Sequence, residues 1–81
     1  MSKDNILEAM QQIFRDVFDD EGLVIDNETS AEDIEDWDSL AQINLVISME
    51  KEFKVKFSLL ELANLHNVGD MADLIGQKLQ Q

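Results

Sequence analysis

Apolar residues near the start of the chain recur at intervals of three and four positions. This spacing is typical of one face of an α-helix. Ser2 or Asp4 would cap the start of that helix. Gly22 indicates an end near Asp19 or Asp20. The apolar face comprises Ile6, Leu7, Met10, Ile13, Phe14, Val17 and Phe18.

A second helical pattern runs from about Ser39 to Phe53, with Asp38 as its cap. It presents two apolar faces, whereas contact with a core needs only one. Because a small domain has few layers in which to bury a helix completely, we expect one face to remain available to a ligand or partner. The two faces comprise Leu45, Met49 and Phe53 on one side and Leu40, Ile43 and Ile47 on the other.

Two more helices are predicted in the last third of the chain. Ser58 would cap a short helix that ends near Leu65 or His66. Asn67 would cap a final helix. The sequence therefore predicts a single all-α domain over residues 1–81, with three longer helices, one short third helix and a long loop after the first. The inner side of the final helix comprises Val68, Met71, Ala72, Leu74, Ile75 and Leu79.

The segment between residues 19 and 38 has no sustained period. Thr29 and Glu32 have the spacing of a capping box, which predicts a short turn of helix leading to Ile34. A connection of about twenty residues is unusual in a small domain and is more often functional than idle.

The negative charge of the chain is concentrated in one region. The formal net charge is −12, and residues 16–50 contain twelve carboxylates but no lysine or arginine. This distribution disfavours nucleic acid and anionic membranes as partners and favours enzymes with basic surfaces. An acidic face that only keeps the protein in solution is the alternative.

Few residues could perform chemistry. The chain has no cysteine and one histidine, His66, so neither a nucleophile–base pair nor a metal site is apparent. The three glycines form no phosphate-binding loop, and the acidic segment does not fit the calcium-loop pattern. We therefore expect a protein that is not an enzyme. Without a signal peptide or a membrane-spanning stretch, it is expected to be soluble and cytoplasmic, without stable membrane insertion.

Ser39 is the remaining candidate for function. Its simplest interpretation is structural, because serine is acceptable in the first turn of a helix that Asp38 caps. Phosphorylation by a kinase in an acidic context is a second interpretation. The third is that its hydroxyl is the attachment point of a prosthetic group.

The surroundings of Ser39 favour attachment. The stretch Asp36-Trp37-Asp38-Ser39-Leu40, followed by Ile43, Leu45-Val46, Glu50 and Glu52-Phe53, resembles the modification site of the acyl carrier proteins. The resemblance covers nearly the whole chain and implies the four-helix bundle of that family. It also implies a covalent 4′-phosphopantetheine on Ser39, transferred from coenzyme A by a phosphopantetheinyl transferase. Asp38 would support that transfer, and the prosthetic group would supply the thiol that the sequence lacks.

A carrier function follows from this resemblance. Acyl groups would be held as thioesters and delivered to acyl-transferring or acyl-activating enzymes of fatty-acid, lipid or polyketide biosynthesis. Such proteins can hold the acyl chain between their helices, so we expect a long cargo to raise the melting temperature. The protein is expected to be a monomer. The docking face for partner enzymes is expected to comprise Leu40, Ile43, Ile47 and Glu50.

Several positions differ from housekeeping fatty-acid carriers. Ala41, Asn44 and Lys51 lie where acidic residues are common, and Trp37 replaces a small or aliphatic residue. These differences favour a specialised carrier, and Trp37 is either a buried anchor or a contact beside the arm. A D-alanyl or other aminoacyl carrier is an alternative. A different class of alternative is an acidic adaptor or phosphoprotein whose Ser39 is only a cap or a kinase site.

Overall fold

The computed structural model describes residues 2–80. Its helices are α1 (Lys3–Phe18), α2 (Ser39–Phe53), α3 (Leu59–Ala63) and α4 (Val68–Leu79). Residues 2–80 contain no β-strand. The predicted all-α architecture, with a short third helix and a long loop after the first, is confirmed.

The ends of α1 follow the local sequence. The Ser2 hydroxyl accepts a hydrogen bond from the Asn5 amide at 3.2 Å, so Ser2 rather than Asp4 is the cap. At the other end Asp19 adopts a left-handed conformation with φ of 51°, and its amide donates to the Arg15 carbonyl. The helix therefore ends where the sequence predicts, with Asp19 in the conformation that glycine often supplies.

The hydrophobic core forms where α1 packs against both α2 and α4. Each of these three helices buries an apolar face predicted from its spacing. Three methionines, Met10, Met49 and Met71, belong to this core, and their unbranched side chains adapt readily to a changed neighbour. The largest fully buried side chains are Phe14, Ile6, Met10, Leu45, Met49, Ile75 and Val68.

The loop between α1 and α2 contains turns and irregular segments but no helix, so the helical turn predicted from Thr29 and Glu32 is wrong. The Thr29 hydroxyl accepts from the Asp26 amide at 2.9 Å, while Asp33 accepts from the Ser30 amide at 3.0 Å. Aspartate, threonine and serine side chains thus bond to nearby backbone groups and stabilise turns in place of a helix.

The loop is attached to the start of α4. The Val68 amide donates to the Thr29 carbonyl at 2.8 Å, and the Gly69 amide donates to the Asn27 carbonyl at 2.9 Å. These two amides have no partner within their own helix, so the loop satisfies them. A Cβ atom at Gly69 would lie 2.8 Å from the Asn27 carbonyl oxygen. Glycine is therefore required for this close approach.

The short helix α3 begins with the predicted cap but ends earlier than expected. Ser58 and Glu61 form a complete capping box. The predicted end near Leu65 or His66 is wrong, because α3 stops at Ala63. The Leu65 amide bonds to a carbonyl only three residues earlier, at 3.3 Å, and this tighter turn ends the helix.

Candidate functional site

Ser39 is the first residue of α2 and is exposed. The preceding residue, Asp38, has an extended backbone, and its Oδ1 accepts from the Ala41 amide at 2.9 Å. Its carbonyl accepts from the Gln42 amide at 2.9 Å. Because Asp38 caps α2, the helix does not require the Ser39 hydroxyl.

The electrostatics of this position suit an attached phosphate. The first turn of α2 contains no acidic residue. The amides at a helix start carry partial positive charge and point out of the helix, where they favour an anion. The start of α2 would therefore stabilise the negative charge of a phosphodiester attached to the exposed Ser39, even though the adjacent loop is acidic.

A shallow cavity of about 220 Å³ lies beside the serine, between the end of α1 and the start of α2. Three carboxylates border it, those of Asp19, Asp36 and Asp38, together with the side chain of Leu40. The sequence predicts the acidic character of this region. That Asp19, directly after α1, joins the two aspartates before α2 follows from the packing of the two helices.

Trp37 is a packed anchor of the loop. Its ring meets Phe14 edge-on, with centroids 5.2 Å apart and an interplanar angle of 83°, and its centroid lies 6.3 Å from that of Phe18. The indole Nε1–H donates to Gln42 Oε1 at 2.7 Å. These contacts support the anchor interpretation, and they identify Gln42 as a residue that the sequence pattern did not single out.

The other side of Trp37 borders a second cavity, of about 230 Å³. It lies among the loop, α2, α3 and α4, and its apolar lining includes Leu62, Leu65 and Met71. For comparison, an apolar cavity of about 150 Å³ is large enough to hold benzene. The volume of this cavity is therefore comparable to that of a small organic group.

The predicted docking residues differ in their environments. Leu40, Ile43 and Ile47 remain 67%, 55% and 44% exposed, as expected for an apolar face without a partner in its own fold. Glu50 is half-buried, and its Oε2 accepts from the Phe57 amide at 3.0 Å. Its carboxylate therefore has a structural role in holding the segment after α2.

Other kinds of site are absent from the described part of the chain. No group of three or more histidine, cysteine, aspartate or glutamate side chains is arranged to hold a metal ion within residues 2–80. Over the same range, no helix has the length and apolar character needed to cross a membrane. His66 is exposed, and its amide donates to Asp70 Oδ2 at 3.1 Å.

Comparison with known proteins identifies the family. Residues 8–75 match the family model described as the phosphopantetheine attachment site. The chain is also 33% identical over 75 residues to the acyl carrier protein of Acidothermus cellulolyticus, with 93% of this chain and 89% of the relative covered. The chain belongs to the acyl carrier protein family.

The fold agrees with a solved member of the family. The solution structure of holo acyl carrier protein from Geobacter metallireducens superposes with a TM-score of 0.88 and 53% identity, covering 93% of this chain and 86% of that one. The predicted family, fold class, carrier function and phosphopantetheine prosthetic group are thus confirmed. As a member of this family, the chain is an acyl carrier and not an enzyme, and it interacts with a phosphopantetheinyl transferase and acyl-handling enzymes.

Proposed function

We propose that the chain carries acyl groups as thioesters on a 4′-phosphopantetheine attached to the Oγ atom of Ser39. The position of an exposed serine immediately after the Asp38 cap is the observation that carries this assignment. The bound group supplies a terminal thiol, which the sequence lacks. The proposed carrier is a cytoplasmic monomer.

Ser39 would act as the nucleophile in its own modification. Its Oγ forms the bond to the phosphorus of the phosphopantetheine portion of coenzyme A, adenosine 3′,5′-bisphosphate leaves, and the serine proton passes to a base. The transferase supplies this base, while the Oδ1 atom of Asp38 keeps its hydrogen bond from the Ala41 amide. The second carboxylate oxygen of Asp38 is left to orient the transferase or its metal.

The cavity beside Trp37 is the proposed site for the first part of the acyl chain. Its apolar residues, Leu62, Leu65 and Met71, come from α3, the segment after it and α4. Burial of each CH₂ group contributes about 0.8 kcal/mol, so even partial entry of a chain stabilises the protein measurably. A longer chain would require movement of the adaptable Met49 and Met71 side chains in the core.

The pathway is proposed to be a specialised one. Asn44 and Lys51 lie on α2 at positions where housekeeping fatty-acid carriers commonly have acidic residues. Lys51 is exposed. An enzyme whose basic groups pair with carboxylates along the whole of α2 would find fewer carboxylates on this chain. The enzyme that accepts the acyl group is instead a dedicated acyltransferase or ligase whose surface is complementary to α2.

The assignment of Ser39 is tested by intact mass. The protein is incubated with coenzyme A and a phosphopantetheinyl transferase of broad specificity. We expect the mass to increase by one phosphopantetheine group in the wild type and to remain unchanged in Ser39→Ala.

Ser58→Ala is the matched control, because it also removes a serine at a helix start but leaves α2 intact. It should acquire the group normally. Modification of Ser39→Ala, or an unmodified wild type with several transferases, would contradict the assignment.

A further inference from the structure

The exposed face of α2 changes character along its length. Leu40, Ile43, Ile47 and Lys51 follow one another at intervals of three or four residues, so they lie on the same side of the helix. All four are exposed, and exposed Lys54 follows at the end of the helix. We call these five residues the α2 strip. It is apolar over its first half and basic at its far end.

The near end of the α2 strip is acidic. Asp19, Asp36 and Asp38 border the cavity that also contacts Leu40, the first residue of the strip. The ion pairs within residues 2–80 join Lys3 to Asp73 and Lys78 to Glu61, and neither pair includes a residue of the strip or these aspartates. Both charged ends are therefore available to an external partner.

The α2 strip determines the order in which charged groups should follow one another along the surface of an enzyme that docks on it. We propose that the enzyme that docks on α2 has basic groups beside Ser39, an apolar groove opposite the leucine and isoleucines, and acidic groups opposite Lys51 and Lys54. This inference rests on the proposed function, since it concerns the enzyme that acts on the arm. Opposite charges at the two ends also determine the direction in which α2 lies in the groove.

Lys51 would exclude the wrong enzymes as well as attract the right one. A groove with basic groups along its whole length would meet the Lys51 ammonium with a like charge. Such a contact weakens association and is a common way of achieving specificity. Lys51 also lies in the last turn of α2, where a cation stabilises the helix. That structural effect acts on unfolding and does not depend on which enzyme is present.

A second copy of the chain is the main competing occupant, because an antiparallel copy would also place acid against base. Stable interfaces, however, involve about 20–30 residues from each side. The apolar half of the α2 strip contains three side chains, Leu40, Ile43 and Ile47, and its first residue adjoins Ser39. A small surface of this kind suits transient docking of an enzyme.

The test uses the holo protein and the malonyltransferase of a bacterial fatty-acid synthase, which serves carriers with acid along the second helix. Lys51→Glu is compared with the double variant Asn5→Asp, Gln77→Glu. Both change the formal net charge from −12 to −14, but the control places its charges on exposed positions of α1 and α4.

We expect kcat/KM for malonyl transfer to rise roughly fivefold in Lys51→Glu at low salt, because a repulsion becomes an attraction. The increase should shrink at high salt, and the control should stay within about twofold of the wild type. Among single Lys→Glu and Arg→Glu variants of the enzyme's docking groove, at least one should improve transfer to the wild type and impair transfer to Lys51→Glu.

An unchanged kcat/KM in Lys51→Glu, or an equal rise in the control, would overturn the inference. So would a dimer in sedimentation equilibrium that Lys51→Glu dissociates, since the occupant would then be a second copy. Intact mass establishes beforehand that each variant acquires phosphopantetheine. Failure of the wild type at that step would overturn the proposed function, whereas normal loading with unaltered transfer would overturn only the docking inference.

Discussion

Replacement of Trp37 by alanine should destabilise the protein before any prosthetic group is attached. The substitution removes the edge-on contact with Phe14 at 5.2 Å, the contact with Phe18 and the hydrogen bond to Gln42. Aromatic pairs contribute about 0.5–1.5 kcal/mol beyond the area that they bury. Full truncation of a buried tryptophan costs about 3–5 kcal/mol. Because Trp37 is only half-buried, we expect a loss of about 2–3 kcal/mol.

This loss is large for a chain of 81 residues. At about 0.05–0.15 kcal/mol per residue, the total free energy of unfolding is roughly 4–12 kcal/mol. A change of 1 kcal/mol shifts the melting temperature of so small a domain by about 4–8 °C. The apo form of Trp37→Ala should therefore melt about 10–20 °C below the wild type.

The measurement is urea unfolding of the apo protein, followed by far-ultraviolet circular dichroism so that the loss of tryptophan does not remove the signal. Trp37→Phe is the matched variant, since it keeps a ring but lacks the indole N–H that Gln42 accepts. It should lose about 1 kcal/mol, the usual worth of one hydrogen bond. If Trp37→Ala unfolded like the wild type in the apo form and differed only after acylation, the anchor interpretation would be refuted in favour of an arm contact.

Four further outcomes are expected. Gly69→Ala should cost about 1–3 kcal/mol in urea unfolding, because its Cβ would lie 2.8 Å from a loop carbonyl; an unchanged midpoint would mean that the loop yields freely. Asp38→Ala should lose about 1 kcal/mol of helix-cap energy, whereas Asp38→Asn should keep most of it. Asp38→Asn should nevertheless acquire phosphopantetheine more slowly than the wild type, as followed by intact mass. Equal loading rates would show that Asp38 does not support the transfer. The hydrogen bond from the Ser58 amide, and next the Lys78 side chain, lower the pKa of Glu61. The contribution of Glu61 to the free energy of unfolding is therefore complete above its unfolded-state pKa and is lost as pH falls through its folded-state pKa. Glu61→Gln should flatten the acidic part of the curve of stability against pH, and a curve identical to that of the wild type would contradict this. Octanoyl cargo on the holo protein should raise the melting temperature by at least about 5 °C over acetyl cargo, and equal values would argue against burial of the chain.

Local sequence was sufficient to predict most of the architecture. Asp38, Ser58 and Asn67 each cap the helix that was expected to follow them, because a cap needs only a short polar side chain and the nearby amides. The buried and exposed faces of α2 also follow from spacing, since helical periodicity places Leu45 and Leu40 on different sides whatever the helix packs against.

The loop and the end of α3 were less predictable. Thr29 and Glu32 have the spacing of a capping box, but Thr29 bonds to the Asp26 amide and its carbonyl accepts from Val68 of α4. The second of these contacts joins residues far apart in the chain. Competition of this kind depends on the packing of α4 beside the loop, so spacing within the loop does not reveal it.

Ser39 and the charge of its surroundings were apparent from the order of residues along the chain, because helix capping and net charge are local properties. The contacts of Trp37, the convergence of Asp19 with Asp36 and the unpaired state of Lys51 were not. Each of them requires knowledge of which helices meet and which side chains they leave outside. The family-defining chemistry is therefore encoded in a short segment, whereas the contacts that surround this segment arise from tertiary packing.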